Sequence, residues 1–188
     1  MSDGFVEPKR LVSQREWGDP AGDRKLHAVA QTSMGEAELY RRRSTAQDFD
    51  ARANSLENWE LVIGGEIKVT VRDAAAPGIS LQKRMRTGIH GEILGVEFRA
   101  QAAMRNVMSR FRHVDFTLGD RVVSFRAHGF RRVMSSSGGG VPVVLTQKRK
   151  GRWNSTGLDE ADSLVLVLFV LAELEFFLDT PLGDLSPI

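Results

Sequence analysis

The sequence predicts a mainly β fold, an antiparallel β-barrel or curled sheet around a buried hydrophobic C-terminal helix. Two observations carry that expectation. Between Trp59 and Thr146 apolar residues recur at every second position, in short runs broken by glycine pairs and Gly-Asp turns. Near the C-terminus, Leu164 to Ala172 is apolar at every position and is preceded by Asp159, Glu160 and Asp162. A helix apolar on almost all sides must be buried on almost all sides. One flat sheet covers one side of it, whereas a closed or strongly curled sheet surrounds it.

The first 35 residues are weakly patterned. Gly18 to Asp23 reads as a turn, Leu26, Ala28 and Ala30 as a short strand, and Glu38 to Arg43 as a strand rich in arginine. Ser44 to Asn58 is compatible with a loop or a short helix. Leu61 to Ile63 and Ile67 to Val71 flank Gly64-Gly65 and predict a hairpin. Pro77-Gly78 predicts a turn, followed by a strand through Ile79, Leu81 and Met85. Gly91 to Ala100 reads as a strand, and Ala102 to Phe111 is ambiguous. His113 to Leu118 and Arg121 to Ala127 form a second hairpin around Gly119-Asp120. Phe130 to Met134 is a short strand, Ser135 to Gly140 a mobile loop, and Val141 to Thr146 an apolar strand with Pro142 near its start. Lys148 to Gly151 is a basic turn. Acidic residues that suit a helix N-terminus and the stop at Pro181 and Gly183 predict one helix from 159 to 178, with a central strand over 164 to 171 as the competing reading.

The chain has 188 residues, enough for one core. A single domain over 1–188 is expected, with 1–25 as a loosely ordered extension. The sequence has no cysteine, which excludes disulfides, thiolate zinc sites and cysteine nucleophiles and favours a reducing compartment. Met1 to Arg10 lacks the apolar stretch of a signal peptide, and the longest apolar run is less than half a membrane span. A cytoplasmic protein, peripheral to the membrane at most, is expected.

The net charge of +2 conceals an asymmetry. Residues 81–152 hold 15 Lys/Arg against 4 Asp/Glu, a net of +11, while 153–188 hold no Lys/Arg and 7 Asp/Glu. Such blocks build an anion-attracting face or help two segments dock on each other.

The strand Val141 to Thr146, the turn Lys148-Arg149-Lys150-Gly151, Trp153 and the segment Asp159 to Phe177, preceded by strands from Glu92 through Met134, resemble the tubby C-terminal-like superfamily. That group includes phospholipid scramblases and LURP-one-related proteins. The resemblance is a pattern of elements over residues 60 to 180. It implies a many-stranded barrel around a hydrophobic helix and binding of anionic phospholipid headgroups through basic barrel residues. No residue-by-residue functional signature of the family is present.

No constellation of catalytic residues emerges. His27, His90, His113 and His128 have no metal-ligand spacing, and no metal or cofactor is expected. Ser135 to Gly140 is followed by Val141-Pro142 rather than the Lys and hydroxyl residue of a P-loop. Asp162 and Glu173 would stand about 16 Å apart along a helix, too far for a glycosidase pair. The sequence therefore favours a non-enzymatic protein, while scattered residues assembling a site are left open. The candidate anion-binding residues are Lys83, Arg84, Arg86, Arg131, Arg132, Lys148, Arg149, Lys150 and Arg152. The partners considered are an anionic phospholipid surface, a protein and, behind these, nucleic acid.

Overall fold

The computed structural model describes residues 4–11, 24–43, 57–75, 81–103, 112–128, 131–137, 143–149, 152–155 and 157–179. Among them the strands are β1 (Phe5–Leu11), β2 (Arg24–Thr32), β3 (Gly35–Arg43), β4 (Glu57–Ile63), β5 (Glu66–Ala75), β6 (Ile89–Ile93), β7 (Val96–Ala103), β8 (His113–Leu118), β9 (Arg121–His128), β10 (Arg131–Ser137), β11 (Val143–Arg149) and β12 (Arg152–Asn154). The helices are α1 (Leu81–Thr87), α2 (Glu160–Leu171) and α3 (Phe176–Asp179).

Each strand pairs antiparallel with the next in chain order, and β1 meets β12 to close the ring. The seam is short. It consists of Phe5 opposite Asn154 and Val6 opposite Trp153, extended by the Ser155 N–H donating to the Gly4 carbonyl at 2.9 Å. Period-two alternation sets the inner face. In β7, Phe98, Ala100 and Ala102 are buried while Glu97, Arg99 and Gln101 face solvent. The register Phe98–Leu118, Ala100–Phe116 and Ala102–Val114 places their apolar partners on the same face.

α2 fills the interior. Every residue from Leu164 to Leu171 is buried. The Phe169 ring stacks on Phe125 with centroids 3.8 Å apart, and Trp153 meets both rings edge-on. The helix starts on Asp159, whose carboxylate accepts the Asp162 N–H at 2.8 Å. Arg121 of β9 bonds both Asp159 and Asp162, and Arg132 of β10 pairs with Glu175. Both ends of α2 are therefore tied to neighbouring wall strands.

The expected fold needs several corrections. No helix spans 159 to 178: the apolar helix has 12 residues. Ala172 caps it by donating its N–H to the Leu168 carbonyl at 2.9 Å, and Glu173 turns the chain into the left-handed region at φ 55. α3 then follows as a separate turn of four residues. The strand expected through Ile79, Leu81 and Met85 is also corrected. Leu81 and Met85 are four residues apart on one face of α1, Met85 is fully buried, and Gly88 at φ 100 ends the helix. Ser135, Ser136 and Ser137 belong to β10 rather than to a loop. The turns expected at Gly18 to Asp23 and Pro77-Gly78, and glycines 138–140, lie outside the described residues. Among the described residues no helix is long and apolar enough to cross a membrane.

Candidate functional site: the two charged ends of the barrel

In an up-and-down barrel, a residue's distance from the nearest tight turn decides which end it occupies. The tight turns of β2–β3, β4–β5, β6–β7 and β8–β9 stand at one end, together with the start of β1 and the N-terminus of α2. Carboxylates gather there. Glu36, Glu66 and Asp120 directly follow the turn glycines Gly35, Gly65 and Gly119, and Glu92 lies directly opposite Glu97. Asp159 and Glu160 add their charge at the helix N-terminus, where the backbone dipole favours it. Arg121 is engaged by Asp159 and Asp162, and Lys68 by Glu66.

Cations gather at the opposite end. Arg24 stands directly across from Arg42, and Lys25 across from Arg41. Such like-charged pairs repel unless a carboxylate intervenes. Glu60 supplies one, 2.9 Å from Arg24 Nε and 3.4 Å from Arg42 Nε, and Glu57 supplies the other, 3.4 Å from Arg41 Nε. Glu57 also accepts the Trp59 indole N–H at 2.8 Å. Arg41 donates through Nη2 to His27 Nε2 at 3.0 Å. Burial and the Arg41 charge press the His27 pKa down to about 4.

The sequence-predicted anion set divides at this end. Lys83 and Arg86 are exposed on α1. Arg84 donates to the Asp73 carbonyl at 2.8 Å and lies 3.8 Å from its carboxylate. Arg132 is half-buried against Glu175. Arg152 is 3.6 Å from Glu7 and lies over the Phe5 ring. The backbones of Arg131, Lys148 and Arg149 belong to β10 and β11, with Arg149 opposite Arg152. Lys150 lies outside the described residues. The structure thus brings most of the set toward one end without forming a single cleft.

Arg24, Lys25, Arg41, Arg42 and Arg126 extend the basic end, and the whole acidic end escaped the sequence reading. A usable signal existed: the repeated pattern of a turn glycine followed at once by Glu or Asp, with most arginines, though not Arg121, placed far from those turns.

The acidic end also holds a cavity of about 550 Å³ between the N-terminus of α2 and the turns, lined by Met34, Ile63, Glu66, Lys68, Leu158 and Ser163 among others. Close by, Ile67, Leu94 and Val96 are 51%, 44% and 52% exposed. They are neighbours by register, because the Leu94 N–H donates to the Lys68 carbonyl at 3.0 Å and Ile93 pairs with Val96. Among the described residues no group of three or more histidines and carboxylates is arranged to hold a metal.

No protein family, curated protein or solved structure matches this chain. The resemblance to the tubby C-terminal-like superfamily is therefore corrected. It rested on an order of elements without a signature motif, and the comparisons supply no relationship beneath it. The LURP-one-related identity and the phospholipid-headgroup role that the resemblance implied are withdrawn with it.

Proposed function

We propose that the protein is a charge-polarised binding module whose basic end takes an acidic protein surface. The observation that carries this reading is the uneven charge along the barrel axis: Lys83, Arg86 and Arg126 are exposed at the end where Glu57, Glu60, Asp73 and Glu175 already sit against arginines, while the rim carboxylates Glu36, Glu66, Glu97 and Asp120 are exposed at the other end. An axial separation of opposite charges produces a directional field that orients an approaching partner and speeds encounter. Nucleic acid is disfavoured because it calls for exposed aromatic platforms. Among the described residues of this end, Tyr40 is half-buried beneath Arg24, and Phe176 is the single exposed aromatic ring, short of the row of platforms on which successive bases stack.

Binding of the full chain to poly-L-glutamate and to duplex DNA, at about 0.02 M and about 0.5 M salt, tests the reading. Expected is poly-glutamate binding at the lower salt that fades at the higher, and a loss of about tenfold or more in the triple variant Lys83→Glu/Arg86→Glu/Arg126→Glu with its circular dichroism unchanged. No binding of poly-glutamate at low salt, or equal binding by the triple variant, would overturn it. DNA binding in the absence of poly-glutamate binding would move the assignment to nucleic acid.

A further inference from the structure

Among the described residues the exposed large hydrophobics are Ile67, Leu94, Val96 and Phe176. None sits on the middle of the barrel wall. The first three form the rim of the acidic end, while Phe176, 45% exposed, stands on α3 at the basic end, near β8 and β9. Monomers rarely leave such residues grouped at a charged surface without a use for them. Leu94 sharpens the point. It occupies the first position of a tight turn at φ 51, followed by Gly95 at φ 77. Asn or Asp would take that left-handed conformation more readily than leucine, and would keep the turn polar. The chain instead holds a strained leucine out toward solvent.

The two ends differ in charge and in the apolar features that they expose. One offers the exposed Phe176 ring near β9, which carries the exposed Arg126, with Arg132 of β10 paired to the neighbouring Glu175. The other offers a 550 Å³ cavity and an apolar rim, surrounded by Glu66, Glu97 and Glu160. Closure of the sheet removes the free strand edges that would otherwise pair with another chain.

We infer that a second copy of this chain docks head to tail, its Phe176-bearing basic end seated on the cavity and the Ile67–Leu94–Val96 rim of the acidic end. The inference rests on the reading of the basic end as a site for an acidic protein surface and names that partner. Because the two contacting surfaces differ, each docked copy presents a fresh end, and association continues beyond a dimer unless the rotation closes a ring. With few apolar anchors the contact is weak and sensitive to salt.

Sedimentation of the full chain at about 0.02 M and about 0.5 M salt, over concentrations from about 10 to 300 μM, reads the association directly. Expected is a mass that climbs past the dimer with concentration at low salt and stays monomeric at high salt. Two variants block one end each: Val96→Lys/Glu160→Lys on the acidic end and Phe176→Glu/Arg126→Glu on the basic end. Each alone is expected to stay monomeric with wild-type circular dichroism. Their equimolar mixture is expected to form a dimer and stop there, since only one competent interface remains. A wild-type chain that stays monomeric at low salt would overturn the inference, as would either variant associating alone like the wild type. Retained poly-glutamate binding in that monomeric chain would confine the failure to self-docking. Loss of poly-glutamate binding as well would remove the reading on which it rests.

Discussion

His27 shows how one side chain links the basic end to stability. Its ring is buried and accepts an N–H from Arg41, so the folded state holds it neutral with a pKa of about 4, against an ordinary value of 6.5. The unfolded chain takes up a proton below 6.5 and the folded chain declines it until about 4. Stability is therefore complete above pH 6.5 and falls as pH drops through that window, by a ceiling of about 3 kcal/mol. Denaturant titrations at pH 7.5 and 4.5 should show a loss about 2–3 kcal/mol larger in the wild type than in His27→Gln, which keeps an acceptor and cannot be charged. Equal losses in the two proteins would remove His27 as the cause. Leu94 carries the opposite kind of effect. Leu94→Asn relieves a left-handed leucine and should raise stability by about 0.5–1 kcal/mol in thermal or denaturant unfolding. The same change should weaken self-association at low salt, so that stability and association move in opposite directions.

At the scale of elements, the tightest constraint is the pairing of β5 with β6. Gly91 is buried between Val71 and Phe98 in register, and a Cβ there would come within 2.0 Å of the Thr70 carbonyl and 2.6 Å of the Phe98 ring. A backbone oxygen has little room to retreat, so Gly91→Ala should cost about 1–3 kcal/mol or more in chemical unfolding. Wild-type stability in that variant would contradict the close approach. Several elements were legible in the sequence because local chemistry decides them. The glycine pair at 64–65 and the alternation on either side of it define the β4–β5 hairpin, and Gly119-Asp120 does the same for β8 and β9. Other elements were not. Leu81 and Met85 fit strand and helix equally in so short a run, and packing of Met85 into the core selected α1. β1 is recognisable only with its partners present, since Phe5 to Leu11 contains Pro8, whereas the arginine-rich stretch within β3 already read as a strand.

For the whole molecule, the barrel and α2 depend on each other. The wall strands are packed on the same apolar cluster as α2, whose residues from Leu164 to Leu171 leave no face for water. Phe169 lies at the centre, stacked on Phe125 and edge-on to Trp153, whose indole N–H donates to Glu175 at 3.0 Å. Phe169→Ala should remove about 3–5 kcal/mol from the unfolding free energy and leave one cooperative transition, because wall and helix lose their common packing together. Two separate transitions in that variant would show that the wall stands without its filling.

By itself the sequence determined most of the alternating strands, the tight turns at Gly64-Gly65 and Gly119-Asp120, the buried character of 164–172 and the two blocks of opposite charge, because each follows from the chemistry of residues near one another in the chain, while the Leu94-Gly95 turn that divides the run expected over Gly91 to Ala100 escaped it. It also exposed the candidate cations of 81–152. Only the tertiary structure decided that β1 meets β12, that the apolar segment breaks at Ala172, and that Arg24 and Arg41 join Lys83 and Arg86 at one end while Glu66, Glu97 and Glu160 collect at the other. Strand direction reverses at every turn, so charges far apart in the chain meet at one rim and charges a few residues apart are carried to opposite rims. A linear count of charge has no access to that reversal, which depends on the pairing of every strand with its neighbours.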